Sequence, residues 1–432
     1  MGRVVNDVVD GAGLYFSRLV AAGGYVFFSS TAVDHSGSMA EEARVKPPYH
    51  QSPSSNVRAQ TTYIFDRMKD GLSELGSSLD DVCQVEQFIS QKAHADGYLE
   101  TSRGPGFMAR NRPTSGLMET GDFVPPGAVV TATGIAVIPD GSHIKEIHSS
   151  GLPTPQLHPE MGDSYSKEPP FSEFVTAGPY MFNSVWASDY ETGVHPEAKV
   201  NQWVWWGNEA RSETRFNLNE RLKPRLEHVG SDPANVAHAT VYLTDIEDLY
   251  EVDRVWRELF PTNPPARTVV PVRGLGSPRW EGARDHADGG TKTEVLFQSI
   301  RPGFGAERQV VETGTGQLTH ESEGIKGGPF LWISGQLAGN ESGLLTEPDG
   351  ISQARYAFSR IEEICRAGGT DMSNLVRVRA WVTDIEDSYH VYTVLREHIP
   401  SNPPTVSITT VPGPLYVPGC RIIVDAVAYV PE

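Results

Sequence analysis

The sequence predicts an α+β fold assembled three times over. Three tandem β-β-α-β-α-β-β units are expected, at residues 1–152, 153–303 and 304–432, each a sheet covered on one face by two helices. Three observations lead there. A chain of 432 residues is too long for one ordinary core. The 26 residues from Thr244 and the 26 from Thr383 share 14 identities at a constant offset of 139, which marks internal duplication. Finally, the same order of hydrophobic patterns and turn signals occurs three times.

Each unit opens with an apolar run ending in small residues: "GGYVFFSS" from Gly23, "GPYMFNSV" from Gly178 and "GPFLWISG" from Gly328. Aromatic and β-branched residues before such a turn predict a buried strand. An amphipathic helix follows in each. In the third unit Ala354, Phe358, Ile361 and Cys365 fall on one helical face, and the helices should stop at Gly76, Gly230 and Gly368–Gly369. The next strands read "DVCQVEQFI", "NVAHATVYL" and "NLVRVRAWV". In the last, Val376, Val378, Ala380 and Val382 alternate with Arg377, Arg379 and Trp381, which predicts one buried face. A short second helix is expected in units two and three, whereas "SQKAHADGYLETSRGPGFMARNRPTSG" replaces it in unit one. A Pro-containing turn and two closing strands complete each unit. The uncovered sheet faces would be buried if three sheets packed about a pseudo-threefold axis within the chain, forming a central barrel with outer helices.

Charge and composition exclude several function classes. A net charge of −19 argues against nucleic acid and anionic membrane as partners, because phosphate binding needs a basic face. Cys83, Cys365 and Cys420 are odd in number and widely spaced, so neither disulfides nor a zinc site is expected, and a reducing, cytoplasmic setting fits. The start "MGRVVNDVVDGAG" lacks the apolar core of a signal peptide. No His/Asp/Glu cluster has ligand spacing, and no phosphate loop, GxSxG or HExxH motif occurs, so no metal or cofactor is expected.

The segments "GPFLWISGQLA", "ELGSSLDDVCQVEQFI", "TDIEDLYEVDRVWRELFPTNPPART" and "IIVDAVAYVP" resemble the Rid (reactive intermediate deaminase, YjgF-like) superfamily. The resemblance implies chorismate-mutase-like units that normally assemble as homotrimers, here fused into a pseudo-trimer with three inter-unit clefts. A monomer or low-order oligomer is then expected. The resemblance also implies hydrolysis of imines and enamines without metal or cofactor, an Arg after the Pro-Pro turn holding a substrate carboxylate, and an acid on the last strand orienting water. Arg267 matches that Arg, and Ser115 and Val406 stand in its place in units one and three. Thr133, Leu296 and Asp425 stand in the place of the acid. Glu294, two residues before Leu296 on the same strand face, could take over the acid's role or be a solvated strand residue. Asp425 could act in a cleft of its own or pair with Arg379. Tyr15, with Phe171 and Glu321 at the other two places, matches a cleft Tyr.

Unit two is elaborated on both sides of Arg267. Five of the eight tryptophans lie in two long loops there, and Trp203, Trp205, Trp206 and Trp280 are candidates to line a cleft for an apolar or aromatic acid. They could instead fasten the loop to the sheet. His286 beside Asp285 in the second loop could be an oriented base or plain polar surface. The leading expectation is therefore a hydrolase of a small carboxylated imine, enamine or related C–N compound. A non-catalytic binding or assembly module stays open, as does amide or ring-opening hydrolysis on the same scaffold.

Overall fold

The computed structural model describes residues 2–104, 107–108, 111–149, 171–189, 193–201, 203, 205–275 and 290–431. Unit one contains β1 (Val4–Gly11), β2 (Leu14–Ala22), β3 (Tyr25–Thr31), β4 (Val82–Ile89), β5 (Thr114–Glu119) and β6 (Val130–Val137). Unit two contains β7 (Lys145–His148), β8 (Phe174–Ala177), β9 (Tyr180–Trp186), β10 (Val236–Leu243), β11 (Ala266–Pro271) and β12 (Thr293–Ile300). Unit three contains β13 (Arg308–Val311), β14 (Gly324–Gly327), β15 (Phe330–Gln336), β16 (Leu375–Val382), β17 (Thr405–Thr410) and β18 (Ile422–Tyr429).

The strand order is the same in each unit: fifth, fourth, sixth, third, second, first. Within each unit, among the described residues, only the fourth and fifth strands run parallel (β4 with β5, β10 with β11, β16 with β17), joined by a crossover that carries the second helix. Two sequence expectations change here. Each unit has an extra first strand, paired to the second. Because β7 pairs with β8, the second sheet starts before the boundary expected at 152/153.

The long helices are α1 (Pro53–Glu74), the run α3 (Glu209–Phe216) to α4 (Lys223–His228), and α6 (Gly350–Ala367). A π-helical turn at Asn217–Leu222 joins α3 to α4. Side-chain caps start them: Ser52, Asn208 and Asp349 each accept from the backbone N–H of the third helical residue. Gly76, Gly230 and Gly369 follow the helices at φ of 79°, 69° and 81°, the left-handed conformation that ends a helix at little cost in glycine. Ala354, Phe358, Ile361 and Cys365 are fully buried, as their spacing predicts. The second helices are α2 (Ala95–Ser102), α5 (Leu249–Leu259) and α7 (Asp387–His398), so unit one keeps a short helix where its sequence had pointed to none.

Each helix layer closes its own core against one sheet face. The other faces meet one another, so β16 is buried along its whole length rather than on alternate residues. Tyr25, Tyr180 and Phe330 hold the same position in their units and touch one another, with ring centroids 5.3, 5.8 and 5.9 Å apart. Glu86, Thr240 and Arg379 likewise share a register position, opposite Thr133, Leu296 and Asp425. They converge through Arg379, whose Nη1 donates to Glu86 (2.6 and 2.7 Å) and whose Nη2 donates to Thr240 Oγ1 (2.9 Å).

A repeated backbone contact joins the edges. The N–H of Ser17 donates to Pro404 O (2.9 Å), that of Ser172 to Pro113 O (2.9 Å), and that of Ser322 to Pro265 O (3.2 Å). Unit one thus meets unit three, unit two meets unit one, and unit three meets unit two. Asn111, Asn263 and Asn402 enter these proline turns at φ of 43°, 48° and 53°, a conformation Asn tolerates better than most residues.

Candidate functional site

Strand register assigns equivalent positions independently of the sequence pattern. Ser115, Arg267 and Val406 sit opposite Val85, Ala239 and Val378, so they are structural counterparts. Arg267 projects from β11 toward α5 at the edge where unit two meets unit three. Its side chain is 0% exposed. It does not reach into an open cleft as the sequence had suggested. Asp253, on α5, lies 2.7 Å from Nη2. Glu321, from unit three, accepts from Nη2 at 2.9 Å and from Nε at 3.2 Å. The guanidinium lies 4.8 Å from the centre of the Trp256 ring. Burial alone would disfavour its charge, yet the two carboxylates more than offset this and raise its pKa. Burial pushes Glu321 up from the ordinary carboxylate value, with Arg267 pulling it back.

Asp253 and Trp256 were not singled out by sequence reasoning, although a signal existed. At the offset of 139 their counterparts are Tyr392 and Leu395, just as Arg267 is answered by Val406. Differences between the two copies cluster in space around one guanidinium.

The acid positions also resolve into interfaces. Asp425, in unit three, faces unit two and accepts the Thr268 hydroxyl at 2.7 Å. It is 2% exposed and pairs with Arg379, whose Nε lies 3.0 Å from its Oδ1. Burial raises the Asp425 pKa, but Arg379 outweighs this and the net shift is downward. Arg267 and the Thr268 that meets Asp425 are adjacent residues of β11. The Arg of one unit and the acid of the next therefore border the same interface, although each unit alone had seemed to lack half a site. Asp425 is tied into the Arg379 cluster and is not a free base.

Glu294 belongs to a different interface. Its Oε1 receives the Ser184 hydroxyl at 3.3 Å and lies 3.0 Å from where a side chain on Gly116 of unit one would begin. Burial pushes its pKa up to about 8. Glu294 thus faces unit one, whereas Arg267 faces unit three, and the expected pairing of the two in one cleft is not found. Tyr15 is buried with Arg396 over its ring at 3.9 Å. The equivalent serines Ser17, Ser172 and Ser322 put Phe16, not Tyr15, in the place of Phe171 and Glu321, a one-residue shift from the sequence matching.

Among the described residues of the tryptophan loop, none is seen to pack on Arg267. Trp203, Trp205 and Trp206 are 78%, 94% and 78% exposed. Trp280, Asp285 and His286 lie outside the described residues.

An open cavity of about 390 Å³ lies on the unit-three side of the interface. Its wall includes Leu318, Gly335, Gln336, Tyr356, Arg360 and Tyr416. Gly335 abuts Thr268, with 2.9 Å between a Cβ built on it and Thr268 Cγ2. The Tyr416 phenol is pushed up by burial, and Glu321 adds to that rise while Arg267 opposes it. The cavity wall and the buried Arg267–Glu321 pair are therefore neighbours.

The endoribonuclease L-PSP family model matches residues 190–281 and again 317–430. The chain is 30% identical over 111 residues to the RutC family protein YjgH of Escherichia coli, covering 26% of this chain and 83% of that protein. It is 28% identical over 124 residues to the human 2-iminobutanoate/2-iminopropanoate deaminase, covering 28% of this chain and 89% of that protein. A chorismatase crystal structure aligns over 81% of this chain and 93% of its own at 11% identity, with a TM-score of 0.49.

Proposed function

Because the chain belongs to the Rid superfamily, the group covered by the endoribonuclease L-PSP family model, we propose that it is a hydrolase of imines or enamines. Its site is the cavity of unit three that lies beside the interface with unit two. The reaction is addition of water to an iminium carbon. Water supplies the oxygen of the new C=O bond, the C–N bonds break, and both water protons leave on the nitrogen as ammonium. No oxidation state changes. The reaction needs orientation of water and movement of a proton, and no redox partner.

The carrying observation is the cavity itself, open to solvent, lined by unit three and lying beside the interface that Arg267 and Asp425 each border. Gln336, Tyr356 and Tyr416 supply uncharged hydrogen-bonding groups around it, and Leu318, Leu337 and Leu345 suit an apolar portion of the substrate. Arg267 fixes Glu321 and, through it, the chain segment carrying Leu318 at the wall. The carboxylate-bearing substrate that an open Arg267 clamp implies is not part of this proposal. That guanidinium already faces two carboxylates. The deaminase named among the relatives supports the reaction class. The net charge of −19 weighs against the ribonuclease activity in the family's description.

We further read the three units as an intramolecular pseudo-trimer. The mutual contacts of Tyr25, Tyr180 and Phe330, and the three serine-to-proline hydrogen bonds, support that reading.

The test generates imines in situ with an amine oxidase or an amino-acid oxidase and traps them with semicarbazide. The protein should divert imine to ketone or aldehyde and ammonia, lowering the semicarbazone yield. Ser342→Trp, at an exposed position on the cavity wall, should block this without lowering the melting temperature. Equal semicarbazone yields with and without protein, across all imines tried, would remove the proposal.

A further inference from the structure

We infer that this site selects cationic ligands lacking a carboxylate, namely iminium ions derived from amines and the parent amines themselves, and that Glu321 sets the selectivity. The inference rests on the hydrolase reading for the word iminium, and on charge and geometry for the rest.

One guanidinium, Arg360, lines the cavity and a second, Arg267, is buried near Tyr416 of its wall, and each is answered twice from within the chain. Arg267 meets Asp253 at 2.7 Å and Glu321 at 2.9 Å. Arg360, on the cavity wall, meets Glu323 at 2.7 Å and also Glu363. In these two groups, two positive charges therefore stand against four negative ones. Glu341 adds a further carboxylate to the lining. Arg267, Glu321, Arg360 and Glu323 are each at least nine-tenths buried, so salt screens these charges poorly.

A second anion has no seat at Arg267. Glu321 takes the Nε–Nη2 edge, the pair of parallel donors that an incoming carboxylate would need. The remaining nitrogen, Nη1, is buried and has no hydrogen-bond acceptor among the described residues. That nitrogen alone cannot offer the parallel Nε–Nη2 donor pair by which a carboxylate is held bidentately. The surplus negative charge favours the protonated iminium ion over the neutral imine and over any anion. In the third unit Glu321 stands where Phe16 and Phe171 stand in the others, so the charge is peculiar to this interface.

The test uses n-butylammonium and butyrate, a pair matched in chain length, titrated against the full chain by calorimetry and thermal melting at pH 7. Wild type should bind butylammonium at least about 10-fold more tightly than butyrate. Glu321→Gln keeps the shape and removes one charge, and should shrink that ratio about 10-fold. Ser342→Lys, exposed on the cavity wall, should move the ratio in the same direction and carries the test if Glu321→Gln fails to fold. Equal or tighter binding of butyrate, no binding of either probe, or a ratio unmoved by the variants would overturn the inference. Hydrolysis separates the two claims. Wild type should hydrolyse amine-derived imines faster than imino acids. Amine selectivity without hydrolysis of any imine sinks the hydrolase reading alone, and imino acids hydrolysed as fast as amine-derived imines sink the selectivity alone.

Discussion

Replacing Arg267 by Met removes the cation that Asp253 and Glu321 share and leaves a side chain of similar length against Trp256. Two responses are open to the stranded carboxylates. Asp253 is 15% exposed and can gain some hydration, whereas Glu321 is 3% exposed and must either stay charged without a partner or take a proton. Protonating a carboxylate whose unfolded pKa is about 4.3 costs about 3.7 kcal/mol at pH 7, at about 1.4 kcal/mol per pH unit. That agrees with the roughly 3–5 kcal/mol lost when one partner of a buried pair is removed. The loss should therefore be about 3–4 kcal/mol at pH 7. The sign follows from linkage. Without Arg267 the folded pKa of Glu321 rises further above its unfolded value, so stability is retained below the unfolded pKa and lost as pH rises through the folded one. Near pH 4.5 the loss should fall to about 1 kcal/mol. Urea unfolding of wild type, Arg267→Met and the double variant Arg267→Met/Glu321→Gln at both pH values measures this. The double variant should recover part of the loss at pH 7. A loss under about 1 kcal/mol at pH 7, or one independent of pH, would refute the account of Arg267 as an internally neutralised cation.

Glu294, pushed up to about 8 by burial, should make the folded state progressively less stable as pH rises from about 4.5 toward 8; Glu294→Gln should raise the melting temperature at pH 8.5 and leave it nearly unchanged at pH 4, and the opposite order would contradict the burial of that carboxyl. Trp203, Trp205 and Trp206 can be changed together to Ala with a shift in melting temperature under about 2 °C and unchanged hydrolysis; a larger effect would mean they cover the site. Cys83, Cys365 and Cys420 are buried, with thiols pushed up to about 12, 12 and 11, so a thiol reagent should react slowly in native buffer and rapidly in guanidinium; fast native labelling would contradict this packing. Sedimentation should show one chain or a low-order oligomer, and an obligate trimer of 432-residue chains would remove the pseudo-trimer reading.

The sequence by itself determined the repeat, the order of its elements and the place of the candidate Arg. These features are local. Helix ends at Gly76, Gly230 and Gly369, the apolar stripe of Ala354, Phe358, Ile361 and Cys365, and the shared proline turns act through backbone preference and side-chain periodicity over a few residues. The equivalence of Ser115, Arg267 and Val406 was legible for the same reason, since a constant offset carries into strand register. The first strand of each unit was missed because it is mostly half-exposed or exposed and lacks a clean apolar alternation. Tertiary structure alone decided what meets what across units. Arg379 reaches Glu86 from 293 residues away, Arg267 finds Glu321 in the next unit, and Glu294 turns toward unit one and away from Arg267. Which two sheet edges abut depends on how three separate cores pack together, and one-dimensional spacing does not record it. The same Arg267 that reads as an open clamp along the chain is therefore a buried, doubly paired cation in the fold, because the chain brings its own carboxylates to it.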